Sequence, residues 1–389
     1  MKLHCNITLP ASKSESNRAL MIATYGDFSS VFQNLSDSRD TKVLSEALRS
    51  AQKGEHIIDI ADCGTAARFM TTFLACHEGD WLLTGMERMK QRPLAPLVDA
   101  LRILGANIQY VENEGYLPLR IKGNPIKGGK VSIDMTQSSQ FASSLLLAAP
   151  MWPQGVELEL FGELSSLPYL DLTLNMLCHF SAQAERLDRK VVVKHKPYQK
   201  QQFAIEPDWT AASYWYEMAA FSEECEIRIR SLKVPELVEG SKDRPNLQGD
   251  AIISDWMRQL GVGTFIENDA IVLRKISFEN RPLSFDFSQH PDLYPTMAAT
   301  CAGLGLEAAF TGLDNLALKE SDRVEAMKTE LAKLCDRPIR FSSHNDHRIV
   351  MALAPLSMLF GTLSFDHPEV VEKSYPDFWK DVAFLPVCG

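Results

Sequence analysis

Apolar positions along the chain fall into two recurring helical patterns. In the first, a short polar motif opens a run of small and apolar residues, at 14–25, 65–77, 139–149, 209–221, 293–303 and 347–360. In the second, apolar residues recur every three or four positions against a charged face, at 40–50, 95–105, 170–180, 250–261, 321–334 and 371–382. The patterns predict about twelve helices that alternate between two kinds. Short apolar stretches between them, at 57–60, 82–84, 131–133, 191–193, 227–229 and 270–273, read as strands. The motif helices start near 14, 64, 138, 208, 292 and 346. Six unequal copies of one supersecondary unit is the economical reading, and its strand–helix–strand–helix–strands order argues α/β layers. A chain of 389 residues exceeds one core, so the copies suggest two domains of three. The stretches 194–202 and 234–248 read as mobile connections.

Composition narrows the partners. The chain is 45% hydrophobic and 23% charged with a formal net charge of −10, which argues against a nucleic acid or an anionic membrane. An anionic ligand must therefore be held by a local cationic pocket against the overall field. The eight cysteines form no CxxC pair and no zinc spacing, and read as reduced thiols of a cytoplasmic protein. MKLHCNITLP carries no signal-like apolar segment, and the most apolar run, 142–152, is too short to span a bilayer.

The polar motifs supply candidate chemistry. LPASKSESNRAL, residues 9–20, crowds Lys13, Ser14 and Arg18 into the start of a helix. Backbone N–H groups there are unpaired and the dipole is already positive, so cations oppose helix stability and point to an anionic partner. DCGTAARF offers Gly64 for close backbone approach, Thr65 as a cap, and Arg68. QSSQ, 137–140, sets hydroxyls and an amide at a helix start. Taken alone, Asp208 and Asp292 read as N-caps, Lys373 as a solvated charge, and Arg323 with Glu320 as a surface i,i+3 pair. HNDHR, 344–348, opens the last motif helix, RMKQRP groups Arg88, Lys90 and Arg92, and KESDR sets Lys319 beside Glu320. Together, cations with a few carboxylates at helix starts suit a site for two multiply anionic substrates.

These motifs, with RMKQRPLAPLVDALRILGA, SSQFASSLLLAAP, SLPYLD, LQGD, KESDRVEAMKTEL and NDHRIVMALA in order, resemble the enolpyruvyl transferases, and among them the members that act on shikimate 3-phosphate. The resemblance runs almost end to end. It implies an α/β fold of two globular domains, each of three βαβαββ units (an inverse α/β barrel), with the active site in the interdomain cleft. One domain would be 1–12 plus 209–389, the other 13–208. The implied reaction moves the enolpyruvyl group of phosphoenolpyruvate to the 5-hydroxyl of shikimate 3-phosphate and releases phosphate. It implies no cofactor, no metal, and a cytoplasmic monomer with no nucleic-acid or membrane partner.

Roles follow by position. The resemblance assigns shikimate 3-phosphate to Ser14, Arg18, Ser138, Ser139, Gln140, Ser166, Tyr169, Asp292, Asn315 and Lys319, with Arg18 at the ring carboxylate. It assigns phosphoenolpyruvate to Lys13, Gly64, Arg92, Gln140, Arg323, Arg348 and Lys373. There Arg323 and Arg348 would meet the carboxylate, and Lys13, Arg92 and Lys373 the phosphate. The implied catalytic set is Lys13, Asp292, Glu320 and Lys373. Asp292 would take the hydroxyl proton, Glu320 would protonate the methylene carbon, and Lys13 or Lys373 would stabilise the leaving phosphate. Gly64 implies sensitivity to glyphosate bound in the donor's place.

The chain also departs from the family pattern. Asp62 and Cys63 precede Gly64 where the family has Asn and a small residue, Phe69 follows Arg68 where it has Pro, and 333–345 is short by a hairpin. The related transferases of UDP-N-acetylglucosamine carry a reactive Cys in a mobile loop, whereas Cys63 reads as lying beside a helix start. A non-catalytic anion-binding paralogue would have lost Asp292, Glu320 or Lys13, and all three are present.

Overall fold

Each of the six motif helices is associated with a pair of parallel strands. The computed structural model describes residues 2–28, 32–232, 248–268, 270–278 and 282–388. Helix Gly64–Cys76 joins Ile57–Asp59 to Gly79–Thr84, and Ser139–Ala148 joins Gly129–Asp134 to Val156–Phe161. Tyr294–Gly303 joins Leu283–Asp286 to Ala308–Thr311, and His347–Leu353 joins Ile339–Phe341 to Leu363–Phe365. The remaining two pairs bring together distant parts of the chain. Trp209–Phe221 leads into Glu224–Arg230, which pairs with Lys2–Ile7. Lys13–Tyr25 leads into Phe32–Gln33, which pairs with Phe203–Ala204.

Three copies are completed by a further antiparallel pair, giving four-stranded sheets of one topology. The last two strands in sequence swap places, so the spatial order is first, second, fourth, third. The copy that starts at Leu283 lacks that pair. After helix Arg323–Ala332 the chain makes a 3-10 turn, Lys333–Cys335, and enters the next copy at Ile339. The hairpin missing from 333–345 is therefore the missing half of a sheet.

The chain divides into Met1–Ser12 with Glu206–Gly389, and Lys13–Ile205. Its two passages between these units hydrogen-bond to each other. Ala11 bridges Pro207, Ser12 N donates to Glu206 O at 2.8 Å, and Asp208 N donates to Pro10 O at 2.9 Å. The 194–202 stretch is pinned rather than loose, because the buried Tyr198 donates its hydroxyl to Leu147 O at 2.7 Å and Lys196 N donates to Pro150 O at 3.0 Å. Of the other expected connection, 234–247 lies outside the described residues.

The motif helices build the cores. Every residue of Trp209–Phe221 is buried. Small side chains let the helices approach closely, and the hydroxyls among them pair across the contact: Thr72 with Ser144 at 2.5 Å in one unit, Ser213 with Thr296 at 3.0 Å in the other. This satisfies polar groups that burial would otherwise penalise. Proline corrects several expected helix ends. The helix expected over 347–360 is interrupted by a 3-10 turn at Ala354–Leu356, around Pro355. The one expected over 371–382 breaks into a 3-10 turn, Pro368–Lys373, and helix Phe378–Asp381, on either side of Pro376. Proline has no N–H to continue the ladder.

Candidate active site

In the Lys13–Ile205 unit, the polar motifs lie at the starts of three helices, and the first two carry the cations. Lys13 opens the first, and its Nζ is 3.0 Å from Asp40 Oδ2 with both side chains largely buried. Arg18, one turn on, is 3% exposed. Its Nε donates to Thr173 Oγ1 at 2.7 Å, Nη1 to Ser14 O at 2.9 Å, and Nη2 to Tyr169 O at 3.0 Å and Ser143 Oγ at 3.4 Å. Burial lowers its pKa to about 10, against the pull of Tyr169 and Glu15.

The second helix starts at Gly64. Cys63 is its N-cap in place of the expected Thr65, with Sγ accepting from Ala66 N at 3.4 Å and donating to Asp40 O at 3.6 Å. Cys63 is buried, unlike a reactive loop cysteine. A Cβ on Gly64 would come 2.6 Å from Arg92 Nη1 and 2.9 Å from Arg68 Nη1. Gly64 does not adopt positive φ, so a methyl here would meet the ends of these two guanidiniums, which must shift, while the backbone accepts it. Arg68 donates to Gly64 O at 2.9 Å and lies over the Phe141 ring. Asp62 pairs with Arg39, so the charge that departs from the family pattern is matched.

The third helix is capped by Ser138, which accepts from Gln140 N at 3.2 Å, while Gln140 Nε2 donates to Thr65 Oγ1 at 3.2 Å. Ser139 is buried behind the cap. The structure thus links the second and third motif starts. Ser166 precedes helix Leu167–His179 in the left-handed region at φ 58° with no side-chain cap bond, and Tyr169 lies in that helix's first turn.

In the other unit, charged side chains converge around Arg323, which is 1% exposed. Its Nη1 meets Asp292 Oδ1 at 2.8 Å, Nη2 meets Glu320 Oε2 at 2.9 Å, and Nε meets Asp346 Oδ2 at 2.8 Å. Arg348 Nη2 holds the second oxygen of Asp292 at 2.6 Å. Asp346 also caps helix His347–Leu353 by accepting from Arg348 N at 3.0 Å, and accepts from Ser321 Oγ at 3.1 Å. Burial favours protonation of Asp292, but Arg348, Arg323 and Lys319 overcome it and hold this carboxyl well below the usual range. Asn315 is 7% exposed, and its Oδ1 has no hydrogen-bond partner among the described residues. Lys373 is 3% exposed at the end of its 3-10 turn.

Several local readings change. Asp208 is an N-cap, accepting from Ala211 N at 2.9 Å. Asp292 instead sits inside the 3-10 turn Pro291–Leu293 and faces two arginines. Lys373 is buried, not solvated, and the Arg323–Glu320 pair is largely buried rather than on the surface. Sequence patterns missed Asp40, Thr173, Ser143 and Arg39. Each meets its cation or carboxylate over 23 or more positions, and no local spacing signals such a pairing.

The fold matches solved enolpyruvyl transferases over nearly the whole chain. The EPSP synthase from Acinetobacter baumannii aligns with TM-score 0.73 at 20% identity, covering 98% of this chain and 96% of that one. The enolpyruvyl transferase NikO from Streptomyces tendae aligns with TM-score 0.66 at 16% identity, covering 98% and 95%. The architecture is therefore that of the enolpyruvyl transferases. In sequence, the profile of EPSP synthase (3-phosphoshikimate 1-carboxyvinyltransferase) matches residues 49–382. The 3-phosphoshikimate 1-carboxyvinyltransferase of Bacteroides fragilis strain YCH46 is 40% identical, covering 98% of this chain and 95% of its own. That of Histophilus somni strain 2336 is 32% identical, covering 96% and 95%. The chain belongs to the EPSP synthase family.

Proposed function

We propose that this protein transfers the enolpyruvyl group of phosphoenolpyruvate to the 5-hydroxyl of shikimate 3-phosphate, releasing phosphate and forming 5-enolpyruvylshikimate 3-phosphate. The observation that carries this reading, in a chain of this family, is the largely buried cluster of Arg323 and Arg348 with Asp292 and Glu320. It combines fixed cations for an anionic donor with carboxylates for proton transfer. Arg323 and Arg348 take the donor carboxylate. Lys13, Arg92 and Lys373 take its phosphate beside Gly64 and Gln140. Ser138, Ser139, Gln140 and Ser166 hold the acceptor phosphate, Arg18 its ring carboxylate, and Ser14, Tyr169, Asn315 and Lys319 the remaining polar groups.

Glu320 protonates the methylene carbon while Asp292 takes the hydroxyl proton, and the oxygen adds to the cationic carbon. Loss of a proton from the new methyl group and departure of phosphate, stabilised by Lys13 or Lys373, give the enol ether. The fixed guanidinium and ammonium groups neutralise both substrates, so the scheme uses no metal or cofactor.

The methyl intermediate makes the scheme testable. In D2O with both substrates, the methylene group of the product should carry deuterium by mass spectrometry, and phosphoenolpyruvate alone should gain none. Unlabelled product would contradict addition followed by elimination. We further propose a cytoplasmic monomer. Scattered free cysteines support the compartment, and light scattering tests the oligomeric state.

A further inference from the structure

Arg323 and Arg348 already grip a carboxylate. Asp292 spans them, one oxygen 2.8 Å from Arg323 Nη1 and the other 2.6 Å from Arg348 Nη2. A ligand carboxylate would use the same donors in the same bridging geometry. Asp346 cannot be the group that yields. It is fully buried, caps a helix and accepts from Ser321 as well as from Arg323. Asp292 is different. Its side chain is 20% exposed, and it sits in a short 3-10 turn without capping the helix that follows.

Charge balance favours exchange over addition. The cluster has Asp292, Glu320 and Asp346 around Arg323 and Arg348, with Lys319 acting on Asp292. A further carboxylate brought in beside all three would leave an uncompensated charge in a buried place, which is costly. Exchange with Asp292 leaves both guanidiniums satisfied and moves the displaced charge toward solvent.

We propose that Asp292 closes the two-arginine site in the free protein as an internal stand-in for a ligand carboxylate, and that the donor's carboxylate displaces it. The inference rests on the functional reading above. In the free protein Asp292 is a poor base, because Arg348, Arg323 and Lys319 outweigh its burial and the opposing charge of Glu320. Once displaced from the guanidiniums it regains basicity, so the group that accepts the hydroxyl proton becomes competent only when the donor is in place. Asp346 lies behind Arg323 and Tyr214 beside Arg348, and both stay with the fold.

The test is the sign of a binding change. Asp292→Asn removes the competitor's charge, so calorimetry should show phosphoenolpyruvate binding about tenfold tighter or more than in the wild type, although turnover is lost. Inorganic phosphate, which has no carboxylate, should change by less than about threefold. Asp292→Ala should give the same pattern. Unchanged or weaker phosphoenolpyruvate binding would overturn the proposal, and so would equal tightening of both ligands, which would reflect net charge alone. If neither variant folds, the 13C resonance of the Asp292 carboxyl in the wild type decides the matter. It must shift when phosphoenolpyruvate is added, and a fixed resonance at saturation overturns the exchange. Wild-type turnover is measured first: an inactive wild type refutes the functional reading, whereas an active one without the predicted binding change refutes only the exchange.

Discussion

Lys13 shows what the residue scale adds to the motif. As a lone cation at a helix start it would be replaceable without cost to the fold. In the structure it is paired with Asp40 at 3.0 Å, and the Asp40 side chain is only 5% exposed. Lys13→Met should therefore abolish turnover and also lower stability by about 1–3 kcal/mol, because Asp40 loses a buried cation. Adding Asp40→Asn should restore much of the melting temperature without restoring activity. Full stability in the single variant would show that the pair contributes nothing. Gly64→Ala would push its methyl against Arg92 and Arg68 while the backbone accepts it. Glyphosate inhibition should then weaken more than about tenfold, phosphoenolpyruvate less, and the melting temperature should change little. Equal losses for both ligands would mean that the glycine does not discriminate between them. Asp62 and Arg39 form a partly exposed pair, which suggests a signed cycle. Arg39→Ala should raise KM for phosphoenolpyruvate and Asp62→Asn should lower it, each by about two- to fivefold, with the double variant near wild type. Two changes of the same sign would contradict that balance. The motif residues were legible because helix starts concentrate them locally. Asp40, Arg39, Thr173 and the grip of Asp292 on two arginines were not, because they arise only when distant segments meet.

At the scale of elements, composition showed that six helices differ from the other six, and the structure gives the reason. The small-residue helices are the more deeply buried ones, and Lys13, Gly64, Ser138 and Asp346 lie at their openings. One helix of each kind, 347–360 and the amphipathic 371–382, reads as continuous in the sequence because apolar periodicity persists while proline removes the ladder donor. One buried helix carries an unusual group. Glu217 in Trp209–Phe221 is 0% exposed, with no hydrogen-bond partner for either carboxylate oxygen among the described residues. Burial pushes its pKa well above the ordinary 4.5. Below that ordinary value the group is neutral in both states and costs little. As pH rises above it the unfolded chain ionises first, so folding stability falls by up to about 1.4 kcal/mol per pH unit until the folded group also ionises. Glu217→Met should therefore raise the melting temperature at neutral pH and flatten the decline of stability between about pH 5 and pH 7. A variant that melts lower at pH 7 than the wild type would mean that the carboxyl is satisfied.

At the scale of the whole molecule, six unequal copies were readable from the recurring polar openings. The way the first and fourth copies are assembled from distant parts of the chain was not, because Phe203–Ala204 and Lys2–Ile7 carry no signal naming their partners. The shortened fifth copy was visible only as missing length. In a chain of net charge −10, Arg323 and Arg348 nonetheless gather at Asp292, and Arg68 and Arg92 lie by Gly64. The most direct test of the proposed reaction measures phosphate released from phosphoenolpyruvate as shikimate 3-phosphate is varied, with EDTA present. Release should saturate, require both compounds and be unaffected by the chelator. No release with both present, or release that instead requires UDP-N-acetylglucosamine, would contradict the proposed reaction.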